Sequence, residues 1–246
     1  MTDPKALLAI RRFRVVELKW ESADTFTLVL TPEQAAEMGS FKAGQWVYLH
    51  ILDKDGTSKG RAAFSMASAP EESAEKVEFG IKVAGGFTKA MADAMPDDVV
   101  GVQGPFGVFV LPETTDRLTV FAGGVGVTPF RSMIRSAWLR KMPKEIVLFY
   151  SNRFVDDAAY LDELEKIAKE YPSLRLVFTL TGDDTPAVWK GEVGRVNEEM
   201  VKKYITDFST GDFLMCGPVG FMETIRTILT AQGVDVKKRL RQELFG

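Results

Sequence analysis

The chain changes its hydrophobic rhythm once, near residue 111. Before that point, short runs rich in Val, Ile, Phe and Thr at 13–20, 25–30, 45–52, 63–66, 77–83, 99–103 and 108–111 are separated by turn-forming stretches such as DKDGTSKG, SAPEES and PDD. This spacing predicts an antiparallel sandwich or barrel. One short helix interrupts it, KAMADAM, with Thr88 as its cap and Pro96 as its end. From residue 117 onward, apolar runs alternate with helical periods. LTVFA precedes a helix reaching residue 140, EIVLFY a helix at 157–171, LRLVFTL a helix at 197–204, and DFLMC a helix at 221–231. Such alternation predicts a parallel sheet with helices on both faces. The expected organisation is a β domain over 1–113 and an α/β domain over 114–246, with no internal repeat or low-complexity linker.

The sharpest chemical signal is FAGGVGVTPF at 121–130. A buried strand running into Gly123, Gly124 and Gly126, then Thr128 and Pro129, predicts a tight turn opening a helix, with Thr128 as N-cap and Pro129 at the first helical position. Phe130, Met133, Ile134, Ala137 and Trp138 then share one face, which packs on a sheet. Free amides and the positive helix end beside small residues make a place for a phosphate. The spacing G-G-x-G-x-T-P departs from G-x-G-x-x-G, and glycine turns also serve packing alone. A second corner repeats the pattern: DFLMC ends in Gly217 and Pro218 and opens a helix with Met222, Ile225 and Leu229 inward. Two such corners line one carboxyl edge of a parallel sheet, where ligands bind.

Composition narrows the chemistry. Across 246 residues the formal net charge is −3, which argues against nucleic acid as the main partner. No apolar run approaches the ~18–20 residues of a membrane span, and the N-terminal stretch lacks a signal-peptide core, so a cytoplasmic protein is expected. The single cysteine, Cys216, excludes an internal disulfide and a four-thiolate cluster within the chain. The single histidine, His50, excludes a histidine-rich metal site and reads as a strand residue. The chemistry is expected to come from a bound organic cofactor or from carboxylates, with no metal.

Taken in order, FKAGQ at 41–45, AAFSMAS at 62–68, KVAGGFT at 82–88, GVQGPFG at 101–107, AGGVGVTP at 122–129, MCGPVGFM at 215–222 and ELFG at 243–246 resemble the landmarks of the ferredoxin-NADP reductase family. The resemblance covers nearly the whole chain, without an iron–sulfur domain. It implies an antiparallel flavin-binding β-barrel followed by a Rossmann-like parallel α/β nicotinamide-binding domain. In the family's Arg-x-Tyr-Ser/Thr motif, the aromatic ring lies on the flavin and the hydroxyl bonds its N5 edge. Phe64 and Ser65 fit those positions, with Met66 and Ala67 following.

Arg61 stands one residue before the motif's arginine, where Ala62 occurs. A one-residue shift in a strand turns the side chain to the other face, so Arg61 either reaches the flavin phosphate through a bulge or remains a solvated charge beside Lys59. Lys82, Val83, Gly86, Phe87 and Thr88 match the pyrophosphate-binding turn, which favours FAD over FMN. Asp97 replaces a glycine usual in the family, in a loop expected to lie far from the flavin.

By the same resemblance, Gly123, Gly124, Val125, Gly126 and Thr128 would hold the dinucleotide pyrophosphate, while Cys216, Gly217, Pro218 and Met222 would line the nicotinamide pocket. Cys216 would let two flat rings approach, rather than act as a nucleophile. Phe245 would cover the flavin in the absence of nicotinamide, or simply pack. Ser151, Asn152 and Arg153 follow the second strand of the α/β domain. Serine and arginine suit the 2′-phosphate of NADP, and no acid appears before Asp156. The arginine that plant-type relatives carry after the third strand is absent from Thr181-Gly182-Asp183, so both NADPH and NADH stay open.

The implied activity is hydride transfer from NAD(P)H to FAD, with Ser65 and Cys216 at the reacting rings, followed by electron release to a separate acceptor such as a ferredoxin or flavodoxin. A free-flavin reductase or a reductase component serving an oxygenase component, and a non-catalytic nicotinamide-binding regulatory module, are the alternatives. The basic run Lys237, Lys238, Arg239 and Arg241 either faces an acidic carrier or is a solvated edge.

Overall fold

The computed structural model describes residues 8–34, 40–72, 75–183 and 185–244; the expectation for Phe245 lies outside them. The chain divides into two compact units, Met1–Leu111 with Arg131–Ser136, and Pro112–Phe130 with Ala137–Gly246.

In the first unit, β1 (Arg11–Trp20), β2 (Thr25–Pro32), β3 (Trp46–Leu52), β4 (Ser58–Ser65), β5 (Val77–Lys82) and β6 (Val99–Phe106) form one sheet in the order β4-β3-β6-β1-β2-β5. Every strand pair in it is antiparallel. The two ends meet through a bridge between Met66 and Phe79, which closes the barrel. Alternation decides what fills it: on β1, Phe13 and Val15 are buried while Arg12 and Arg14 face outward. Phe26, Leu28, Leu30, Leu49, Phe79 and Ile81 complete a core without solvent exposure. Each such side chain contributes about 1.5–3 kcal/mol through burial. Helix α1 (Gly86–Ala92) adds Met91 to this core. The run at 108–111 is not a strand: positive φ at Gly107 turns the chain, and Leu111 N–H is bonded to the Ala43 carbonyl (3.0 Å).

The second unit holds β7 (Arg117–Gly123), β8 (Glu145–Asn152), β9 (Leu174–Leu180), β10 (Glu192–Val193), β11 (Asp212–Cys216) and β12 (Leu240–Glu243), ordered β10-β9-β8-β7-β11-β12. All pairs are parallel. Between them run α2 (Thr128–Leu139), α3 (Leu161–Glu170), α4 (Glu198–Tyr204), α5 (Val219–Ala231) and α6 (Val236–Arg239). Phe121, Phe149, Phe213 and Met215 pack beneath α4 and α5, with Met222, Ile225 and Leu229 inward as their spacing predicts.

Helix α3 begins four residues later than expected, because Val155–Asp157 form a 3-10 turn and Tyr160 takes a left-handed conformation. The short β10 lacks a periodic signal, and the closing basic stretch supplies α6 and β12. Two of its charges are bound within the unit: Arg239 donates to the carbonyls of Gly211 (2.8 Å) and Phe208 (2.8 Å), and Arg241 pairs with Asp212 (3.0 Å). Among the described residues no helix is long and apolar enough to cross a membrane.

Residues 131–136 of α2 are held in the first unit by a polar network. Arg131 Nη1 donates to Glu78 (2.6 Å) and to the Ala67 carbonyl (3.1 Å). Ser132 donates to the Ser68 carbonyl (2.7 Å), Arg135 Nε to Glu72 (2.8 Å) and Ser136 to Glu71 (3.0 Å). The Arg131–Glu78 pair is shielded, with side chains only 7% and 13% exposed.

Candidate functional site

In the second unit, β7 and β11 are neighbours, so their glycine corners stand side by side at the carboxyl edge. The turn after β7 is a 3-10 segment, Gly124–Val127, that runs directly into α2. Thr128 is therefore not the N-cap. It is already helical, and its hydroxyl donates to the Val125 carbonyl (2.8 Å) instead of accepting an amide.

The three glycines have different reasons. At Gly126 a Cβ would overlap the Cys216 carbonyl oxygen and lie 2.7 Å from its carbon. At Gly123 it would lie 2.9 Å from Pro218 Cδ. These two lock the corners together. Gly124 has φ +54 with nothing within 4 Å of its added Cβ, so it supplies a left-handed bend facing open space. Val125, half-buried, lies between them. The amides that open a helix remain there beside backbone without side chains, an arrangement suited to a phosphate.

Cys216 ends β11 with no exposure, and burial pushes its thiol well above the ordinary range, with the Glu243 charge adding to it. A thiol held protonated is a poor nucleophile and a small neutral wall. Met222 is core, packed with Ile225, while Gly217 and Pro218 abut Gly123. Ser151 pairs in register with Gly123, which brings the end of β8 to the same edge. Arg153 lies 5.1 Å from the centroid of the Phe154 ring.

The first unit assembles a second group. The Phe64 and Phe87 rings stack at 5.9 Å and 23°, joining β4 to the start of α1. Thr88 lies inside that helix. Its hydroxyl reaches back to accept the amides of Ala84 (2.9 Å) and Gly85 (3.0 Å) and donates to the Gly85 carbonyl (3.0 Å). The helical ladder starts with Lys89 N–H on the Gly85 carbonyl (2.9 Å), so the amides of 86–88 precede it. Added Cβ atoms at Gly85 and Gly86 would meet nothing within 4 Å. This half-buried aromatic face beside an open amide turn fits the ring and pyrophosphate of a flavin dinucleotide.

The other predicted residues of this region are enclosed or already engaged. Ser65, next to Phe64, is enclosed. Met66 and Ala67 are buried and use their backbone to close the barrel, Met66 toward Gln45 and Ala67 toward Glu78. Lys82 forms an ion pair with Asp24 (2.8 Å) and Val83 N–H bonds the Asp24 carbonyl (2.7 Å).

Arg61 is on the other face. The pairing of β3 with β4 is regular from Ile51↔Gly60 to Trp46↔Ser65, and the irregularity falls at Ile51/Leu52, so no bulge turns Arg61 toward Phe64. Its guanidinium lies 4.1 Å over the Tyr48 ring and donates to Gln103 Oε1 (3.0 Å). His50, buried beside them, bonds Ser58 (2.8 Å) and Gln103 (3.3 Å), and burial lowers its pKa despite the Gln103 hydrogen bond.

Sequence reasoning missed the α2 network that holds the Ala67 carbonyl. Its only trace is the recurrence of Arg131, Ser132, Arg135 and Ser136 on the polar side of an apolar helix, a pattern shared with any solvated face.

The family model described as "Oxidoreductase NAD-binding domain" matches residues 120–227. The chain is similar to one component of the Na(+)-translocating NADH-quinone reductase of Pseudomonas aeruginosa (27% identity; 88% of this chain, 55% of the relative). It is also similar to the glycine betaine monooxygenase reductase subunit of Chromohalobacter salexigens (28% identity; 96% and 64%). It thus spans a little over half the length of the curated relatives it matches. The flavohem-like FAD/NAD-binding domain of nitric oxide dioxygenase from Vibrio cholerae O1 biovar El Tor superposes with TM-score 0.81 at 20% identity, covering 96% of this chain and 98% of that one.

Proposed function

We propose that this chain, which has the ferredoxin-NADP reductase-type fold and whose second unit is an oxidoreductase NAD-binding domain, is a flavin-dependent NAD(P)H reductase that feeds a separate electron acceptor. The observation that carries the reading is the interlocked pair of glycine corners at the carboxyl edge, Gly126 against Cys216 and Gly123 against Pro218. It sets an amide turn free of side chains at Gly124 beside small, uncharged residues. Gly123, Gly124, Val125, Gly126 and Thr128 would hold the dinucleotide pyrophosphate, with Cys216 and Gly217 beside the nicotinamide ring. In the first unit, Phe64 would support the isoalloxazine, Ser65 would hydrogen-bond N5, and the amides at 86–88 would take the FAD pyrophosphate.

Bound FAD would supply the two-electron to one-electron conversion. The chain's own contribution is alignment: a hydride donor and acceptor must approach to ~3–3.5 Å. Neither a metal nor a strong base is needed for that. Cys216 keeps its proton, and small walls at Cys216 and Gly217 let flat rings close up. Because one cysteine cannot ligate an iron–sulfur cluster, electrons would leave to a ferredoxin, a flavodoxin or an oxygenase component. The relative that serves as a monooxygenase reductase subunit supports the last of these.

The position of Arg61 favours one competing reading, a nicotinamide-binding module without flavin, since this cation is engaged with Tyr48 and Gln103 away from Phe64. Incubation with FAD followed by desalting separates the two. The reductase retains stoichiometric flavin and then passes electrons from NADH or NADPH to added acceptor protein, whereas the module emerges colourless.

A further inference from the structure

The chain leaves β4 at Ser65 and crosses 66–69 with no ladder beyond the single bridge at Met66. Met66, Ala67, Ser68 and Ala69 are all enclosed. A buried stretch outside regular structure must find partners for its backbone elsewhere. Met66 N–H goes to the Gln45 carbonyl (3.0 Å) and Ala67 N–H to the Glu78 carbonyl (2.7 Å). Ser68 Oγ accepts the Glu78 amide (3.1 Å), and Glu72 Oε2 accepts the Ala69 amide (3.1 Å). The carbonyls of Ala67 and Ser68 are taken by side chains of α2, Arg131 (3.1 Å) and Ser132 (2.7 Å).

Arg131 does more than satisfy one carbonyl. Its Nη1 has two protons, and it donates to both the Ala67 carbonyl and Glu78 Oε2 (2.6 Å). The Glu78 carbonyl in turn holds the Ala67 amide, so the bonds close a ring through Arg131, Ala67 and Glu78. A guanidinium is a rigid plane, and the ring therefore fixes where Ala67 lies. Stability alone does not account for this choice, because a pair so shielded is worth little more than apolar packing of the same shape. What the ring fixes is the chain directly beyond Phe64 and Ser65, the residues that meet the flavin in the reductase reading.

Resting on that reading, we propose that Arg131 is a positioning residue of the flavin site: it acts through the β4 exit to hold Ser65 in place, with Ser132 supporting it at the next carbonyl. Its contribution is preorganisation. A group kept within about 0.5 Å of its working position need not be ordered during the reaction, and an irregular segment keeps that precision only where its backbone is clamped. Here the clamp comes from α2.

The test is a double-mutant cycle on the FAD-loaded full chain. The limiting rate of anaerobic flavin reduction by NADH or NADPH is measured for wild type, Ser65→Ala, Arg131→Ala and the double variant, with thermal unfolding of each. Arg131→Ala alone should lower the limiting rate about fivefold and leave the half-saturating nicotinamide concentration within about twofold. Behind Ser65→Ala, itself about tenfold slow, the same substitution should cost less than about twofold, because the group it acts through is gone. Its effect on melting should be the same in both backgrounds. Ser132→Ala, which keeps the Arg131–Glu78 pair, carries the same cycle with a loss of about threefold if Arg131→Ala does not fold. Rate losses that multiply, a wild-type rate in Ser65→Ala or in the folded α2 variant, or a change confined to half-saturation each overturn the proposal. A wild type whose bound flavin neither nicotinamide reduces sinks the reductase reading itself and the proposal with it, a result distinct from all the others.

Discussion

The glycine turn of the second unit and strand β4 of the first are both candidate cofactor sites, yet they are built from opposite materials. The turn is made of backbone: what it needs is the absence of Cβ at Gly123 and Gly126 and a left-handed bend at Gly124. The β4 site is made of side chains, and what they can reach depends on register. A shift by one residue sends Arg61 to Tyr48 and Gln103, while Phe64 turns to Phe87. A backbone site therefore tolerates changes of side chain around it but not an added atom at its contacts. A side-chain site on a strand has the reverse sensitivity.

Substitutions can break that contrast. The largest effect is expected at Gly126→Ala, whose methyl would overlap the Cys216 carbonyl. The turn or β11 must shift, at a cost of about 3 kcal/mol or more, and calorimetry should show nucleotide binding lost. Gly124→Ala, two residues away in the same turn, meets no atom and should cost only the left-handed strain of about 1–2 kcal/mol. Equal losses in the two variants would mean that the corners are not interlocked.

Arg131→Ala comes next. It takes from the shielded Glu78 its buried partner, leaving the half-exposed Lys76 (3.4 Å), and should lower unfolding stability by about 1–3 kcal/mol in denaturant titrations. The acid side sharpens this. Burial alone would raise the Glu78 carboxyl, but Arg131 beside it brings the net pKa below its ordinary 4.5, and Glu72, paired with Arg135, behaves alike. A carboxylate with a depressed folded-state pKa stabilises above its unfolded pKa and loses that contribution as pH falls through the folded value. Wild-type stability should therefore drop below about pH 4.5, and the drop should be shallower in Arg131→Ala.

In the β4 site, Ser65→Ala should slow flavin reduction by about tenfold or more in stopped-flow traces while nicotinamide affinity stays nearly unchanged. The smallest effect is expected at Arg61→Ala. Its guanidinium is exposed and turned from Phe64, so FAD affinity measured by fluorescence quenching should move by less than about threefold, the scale of an exposed charge.

The same contrast explains what could be read in advance. Periodicity was sufficient for the change from antiparallel to parallel sheet near residue 111 and for the inward Met222, Ile225 and Leu229, because burial on one face imposes its spacing on the residues. The paired glycine corners were legible since glycine is recognisable in any context. Helix starts were less so. Thr128 and Thr88 were expected to cap by position, but both hydroxyls bond the preceding turn from inside a helix, and nothing in residue type separates the two uses. The 108–111 run had strand composition yet follows a turn at Gly107 that leaves it without a ladder. The Arg131–Glu78 pair depends on a contact between residues distant in sequence, which composition and period do not encode.

The most direct test of the central claim is an anaerobic titration of the FAD-reconstituted chain with NADH and, separately, NADPH, followed by visible flavin absorbance. The account predicts that about one equivalent of NADH or NADPH bleaches the flavin. A chain that retains FAD, binds the nucleotide and yet keeps its flavin oxidised would contradict it.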